Sequence, residues 1–191
     1  MKKLLLLLVL FAFSFSTSAQ EIVANGVSMG NGKLLYATSD TKIFKGKELN
    51  SGIYSEVGIS LACEYTPKTK GKRWVVALSL ITDGKITIKE GMQILFKGSD
   101  GTITTLKNEV EHFPKYWAER DMYFTAANYP TFAKQFQTLK TKQIKKIRIV
   151  STIKRLDYIL SGDEVKNALK SCYDIIQKEL QTARTGIYDN F

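Results

Sequence analysis

The chain has 191 residues, with 28 Lys and Arg against 18 Asp and Glu, a formal net charge of +10, one histidine and two cysteines. That length suits one domain around one core rather than several. Two cysteines without a Cys-x-x-Cys spacing exclude a thiol–disulfide exchange motif, and a lone histidine excludes His-x-x-x-His metal chemistry.

Lys2 and Lys3 precede an apolar run over residues 4–15 that only Ser14 interrupts, and Thr17 and Ala19 supply the small residues of a cleavage site before Gln20. Residues 1–19 are expected to be a cleaved secretory signal. The apolar run is shorter than the roughly 18 residues of a membrane span, and no cysteine follows Ala19 to accept a lipid. The expected address is exported: periplasm, outer-membrane surface or medium. No later segment reads as a transmembrane helix.

Residues 20–32 are small and polar and read as a flexible lead; residues 33–191 are expected to be a single domain. Residues 33–39 read as a strand and 40–52, with Lys42, Lys45, Gly46, Lys47, Asn50, Ser51 and Gly52, as an exposed loop. In 57–66, Val57, Ile59, Leu61, Cys63 and Tyr65 alternate with Gly58, Ser60, Ala62 and Glu64, the period of a strand. The stretch 73–106 is the organising one: short strands punctuated by Asp83-Gly84, Glu90-Gly91 and Asp100-Gly101. Its first strand is apolar on both faces, Trp74, Val76, Leu78 and Leu80 on one and Val75, Ala77, Ser79 and Ile81 on the other, which predicts a central strand covered on both sides.

Residues 107–121 carry aromatics and charges without periodicity. Strand character resumes at 122–126, Tyr129-Pro130 breaks it, and 131–139 reads as a short helix with Phe132, Phe136 and Leu139 on one side. Residues 144–152 read as a strand with Ile147 and Ile149 opposite Lys146 and Arg148, and the strand–helix–strand order permits a local parallel crossover. Ser161 and Glu164 have capping-box spacing. Val165, Ala168, Leu169, Cys172, Ile175, Ile176 and Leu180 then form the stripe of a helix docked on a sheet, with Gly186 as its stop. The expected class is α+β: a mostly antiparallel sheet, a short inserted helix and a packed C-terminal amphipathic helix.

Four groups are candidate sites. Cys63 and Cys172 both lie on apolar faces. An oxidising compartment favours a bridge, worth up to about 4–5 kcal/mol in the entropic picture; the alternative is two separate buried thiols. His112 would have to serve any Ser-His or Cys-His machinery, with Glu109 or Asp121 orienting it, but no Gly-x-Ser-x-Gly accompanies it and a plain loop histidine accounts for it. No catalytic residue, metal ligand or cofactor is assigned. Lys140, Lys142, Lys145, Lys146, Arg148, Lys154 and Arg155 crowd together with no acid among them, and Lys146 and Arg148 on one strand face offer a groove for phosphate, sulfate or carboxylate; a solvated face is the plain alternative. Phe113, Tyr116 and Trp117, with Tyr123 and Phe124 after them, either close the core or grip a ligand from a loop.

The signal ending in Ser-Ala-Gln, the Asp-Gly-rich strands and the capped final helix give a chain that resembles small uncharacterised secreted domains of Gram-negative bacteria, which implies an envelope or surface address. The reading is an exported, non-enzymatic binding domain for a small molecule, glycan or envelope protein, with no nucleic-acid partner. Tyr116, Trp117 and Phe113 are the first site residues, and Lys146 and Arg148 the next. Its rivals are an envelope hydrolase using carboxylates or His112, and a structural envelope protein whose basic face meets anionic lipid or glycan.

Overall fold

Strict alternation and a tight turn build the centre of the fold. In the computed structural model, which describes residues 20–188 and side chains through Thr182, Tyr54–Thr66 and Gly71–Thr82 pair as one hairpin in unbroken register from Ser55↔Thr82 to Thr66↔Gly71. The expected signal at residues 1–19 lies outside the described residues.

In chain order the elements are β1 (Ile22–Ser28), β2 (Leu34–Thr38), β3 (Thr41–Lys47), β4 (Tyr54–Thr66), β5 (Gly71–Thr82), β6 (Gln93–Gly98), β7 (Ile103–Lys107), β8 (Lys115–Trp117), β9 (Met122–Thr131), α1 (Ala133–Thr141), β10 (Ile144–Val150), β11 (Arg155–Ile159) and α2 (Glu164–Tyr188). A seven-stranded sheet runs β1-β2-β4-β5-β9-β8, with β3 sharing an edge of β4 with β2; a four-stranded sheet runs β11-β10-β6-β7. The pairings are antiparallel throughout, and the fold is α+β.

β5 is central, as its two apolar faces require. Trp74, Val76, Leu78 and Leu80 enter the main core with Val57, Ile59, Leu61 and Cys63 of β4. Val75, Ala77, Ser79 and Ile81 are buried as well, and a smaller cluster of Ala24, Leu35 and Ala37 lies on that opposite face. The four-stranded sheet closes the main core with Ile94, Phe96, Ile147, Ile149, Leu156 and Tyr158. The Tyr158 hydroxyl donates to Ser55 Oγ at 3.1 Å, and its ring lies 4.9 Å from that of Phe44. α2 inserts Val165, Leu169, Cys172, Ile176 and Leu180 into the same cluster. α1 stacks Phe136 on Trp74 at 5.2 Å between ring centroids, with Tyr173 of α2 completing the group.

The sheets are also laced along their sides. Leu49 N–H donates to the Asp157 carbonyl at 3.2 Å and Asp157 N–H to Glu48 Oε1 at 2.7 Å; on the other flank Asn128 N–H meets Asn108 Oδ1 at 3.4 Å. Glu48 collects further donors from Asn50 N–H and from the amide and hydroxyl of Ser51. Burial pushes its carboxyl up, but these hydrogen bonds outweigh it and hold it below the usual range.

Several expectations give way. Residues 20–32 are not a flexible lead: Ile22–Ser28 pairs with β2 through two register shifts, and a small-residue composition suits such an irregular edge strand. Residues 40–52 contain β3, whose lysines are solvated while Ile43 is buried. No parallel crossover forms, because β9 and β10 flank α1 but belong to different sheets. β9 continues through Pro130, since beyond Phe124 its outer side carries no paired strand and the missing N–H breaks no ladder there. α2 begins at Glu164 rather than at Ser161. The Glu164 carboxylate reaches back to accept from Ser161 Oγ at 2.7 Å and Gly162 N–H at 2.9 Å, so the spacing is used but the serine is not the cap. The helix runs past Gly186.

Candidate functional site: a basic groove on the four-stranded sheet

Alternation in β6, β7, β10 and β11 sends one set of side chains into the core and leaves the other on the outer face. Register then orders that outer set in rows. One row reads Ile103–Lys97–Lys146–Ile159 across the four strands, and the next reads Thr105–Leu95–Arg148–Asp157. Leu95, Lys97, Ile103, Lys146 and Arg148 line a groove of about 210 Å³.

One buried acid organises it. Asp157 accepts from Arg148 in a bidentate fork, Nε at 2.6 Å and Nη2 at 2.7 Å, from Lys146 Nζ at 2.7 Å and from Asn50 Nδ2 at 3.2 Å. The Arg148 fork holds the Asp157 carboxyl well below the usual carboxylate range, against the effect of burial. The same contact raises Arg148 above its ordinary value. Lys97 stands directly opposite Lys146 and makes no ion pair among the described residues. Three cations therefore face one carboxylate, with Leu95 between them and Ile103 at the rim. Such a groove can hold one anionic group through fixed donors, with an aliphatic portion lying beside it.

The aromatic candidates lie elsewhere, on the β8–β9 hairpin at the far edge of the seven-stranded sheet and, for Phe113, just before it. Phe113 is 66% and Tyr116 56% exposed, while Trp117 is half-buried. Tyr116 pairs with Tyr123 at 5.4 Å between rings, and its hydroxyl donates to Asp121 Oδ1 at 2.7 Å. A 3-10 turn, Ala118–Arg120, follows Trp117. Arg120 lies 5.1 Å over the Trp117 ring and donates to Glu56 Oε1 at 2.7 Å. Burial pushes the Glu56 carboxyl up, yet Arg120 and Lys42 bring it down to about 2. The structure thus brings Lys146 and Arg148 together and sets Phe113, Tyr116 and Trp117 apart from them.

His112 is buried, with its backbone bridged to Ile88 and its Nε2 without a partner; burial lowers its pKa. The acids expected to orient it are engaged elsewhere, Glu109 with Arg73 and Asp121 with Tyr116. No cluster of His, Cys, Asp and Glu able to hold a metal occurs among the described residues. Cys63 and Cys172 are free thiols rather than a bridge. Cys172 Sγ is occupied by the Thr38 hydroxyl and the Gln20 amide, each at 3.1 Å, and both cysteines pack as small core residues.

No protein-family model, curated protein or solved structure matches the chain.

Sequence reasoning found Lys146 and Arg148 but missed Leu95, Lys97, Ile103 and the organising Asp157. Alternation in 93–98 and the Asp100-Gly101 turn already placed Lys97 and Ile103 side by side. What no local pattern carried was the pairing of β6 with β10.

Proposed function

We propose that the chain is an exported, non-enzymatic binding domain that seats an anionic group, phosphate, sulfate or carboxylate, in the groove of Lys97, Lys146 and Arg148. The observation that supports this reading is the direct opposition of Lys97 and Lys146. Like charges facing each other across a strand pair destabilise a sheet. An anion between them turns that repulsion into attraction, and the Asp157 fork already fixes Arg148, so little ordering remains to oppose binding. The test is titration with inorganic phosphate followed by amide chemical shifts. Saturable shifts confined to β6 and β10, lost in Lys97→Gln/Lys146→Gln, are expected; non-saturating shifts spread over all surface lysines would remove the reading.

A second reading rests on the exposure of Phe113 and Tyr116, which supports a ring-stacking contact for a glycan or partner protein on the β8–β9 hairpin. Phe113→Ala/Tyr116→Ala is expected to leave thermal stability unchanged and to abolish retention on a glycan array; unfolding of the variant would make the rings structural.

A further inference from the structure

The anion groove is part of a larger amphipathic face, and four of the large apolar side chains left in solvent, Ile103, Ile159, Ile153 and Leu49, lie around it. Ile103 and Ile159, each more than half exposed, stand at the two ends of the Lys97–Lys146 row. Four strands at about 4.8 Å spacing put them roughly 14 Å apart. Ile153, at the tip of the β10–β11 hairpin beside Lys154 and Arg155, is similarly exposed. So is Leu49, whose amide bond to the Asp157 carbonyl places it along the outer edge of β11. On the face itself the registers put Lys107, Lys97, Lys146, Arg148 and Arg155, with Asp157 as the acid among them.

We infer that this face docks on an anionic lipid surface, with the groove taking a headgroup phosphate and the isoleucines entering the interfacial layer. The inference rests on the anion-binding reading of the same groove. Aliphatic side chains at the level of the cations, spread over a broad and shallow surface, suit a plane of headgroups: cations draw the face to the surface, and apolar side chains around them hold it there. A compact acidic peptide would need the apolar contacts gathered into a pocket, whereas here they stand at the margins.

The experiment is sedimentation of the exported protein, its processed N-terminus checked by mass, with phosphatidylcholine vesicles and with vesicles containing about one-third phosphatidylglycerol. Partitioning to the anionic vesicles alone is expected, falling as salt rises. Lys97→Gln and Lys146→Gln should each weaken it about fivefold. Ile153→Ser/Ile159→Ser, neither of which lines the groove, should weaken vesicle binding at least as much while leaving phosphate-induced shifts and thermal unfolding unchanged. Equal binding to neutral vesicles, or vesicle binding indifferent to the isoleucine substitutions, would overturn the inference. Phosphate binding without vesicle binding would also overturn it, making the occupant a free small anion and leaving the groove itself intact. Loss of both would remove the groove reading beneath it.

Discussion

Replacing Asp157 with asparagine tests how the groove is held together. The carboxylate is buried, while its cations remain partly in water, Arg148 at 38% and Lys146 at 29% side-chain exposure. Charge-assisted hydrogen bonds contribute ~1.5–3 kcal/mol each when well shielded. Breaking a fully buried pair costs ~3–5 kcal/mol, and exposed pairs contribute at most ~1 kcal/mol. Asparagine keeps one acceptor and the backbone bonds to Glu48 and Leu49. The expected loss is therefore about 2–3 kcal/mol at neutral pH, a drop in Tm of about 4–12 °C for a domain of this size. Urea unfolding of both proteins across pH checks it. The Asp157 carboxyl is held below its ordinary value of 3.8, so its ionised form contributes fully above that pH and loses its contribution as pH falls through the depressed folded value. The gap between wild type and Asp157→Asn should be flat from neutral pH down to about 4 and close below it. A gap under about 0.5 kcal/mol at neutral pH, within the range of ordinary surface substitutions, or one that persists at low pH, would refute the reasoning.

Gly58→Ala should cost about 1–3 kcal/mol in urea unfolding, as overpacking does. A Cβ there would stand 2.4 Å from Ser79 Oγ and 3.2 Å from Asp40 Oδ2, and Ser79→Ala in the same chain should recover most of the loss. His112 is held neutral by burial, so the unfolded chain takes up a proton near the ordinary histidine value, about 6.5, before the folded one does. Stability should fall as pH drops below that value, and His112→Asn should erase that part of the slope; an unchanged slope would place the titration elsewhere. Burial pushes the Cys63 thiol up to about 12 and that of Cys172 to about 11. Iodoacetamide at mildly alkaline pH should label neither in the native protein and both in urea, and prompt native labelling would contradict their placement.

The parts of this fold legible in the sequence were those set by a short period. Alternation in 57–66 and 73–82 gave the central pair, and the three- and four-residue stripe from Val165 to Leu180 gave the docked helix. β3 was hidden because its lysines outnumber its core residues and a register shift between Lys42 and Phe44 breaks the alternation. β1 was hidden because two register shifts break its alternation, although Ile22, Val23 and Ala24 pack on the cores. Of the groove, Lys146 and Arg148 stood out as a same-sign run, but the Asp157 that tempers them sits on the following strand. Lys97 stood out in no way until β10 was paired with β6. The aromatic segment divides between the two alternatives: Trp117 is drawn partly inward, and Phe113 and Tyr116 are left in solvent.

The two halves of the groove come from hairpins far apart in the chain, β6–β7 and β10–β11, whose strands meet only at the β6–β10 seam. The β4–β5 hairpin closes with its neighbour in sequence, a local event of the kind that forms early, whereas the seam must wait for β8, β9 and α1 to be placed between its partners. A chain folding as it emerges from its N-terminus thus builds its central hairpin well before the β6–β10 seam can close. The groove is a late product of the fold: a molecule stalled short of β10 carries Lys97 but has no groove.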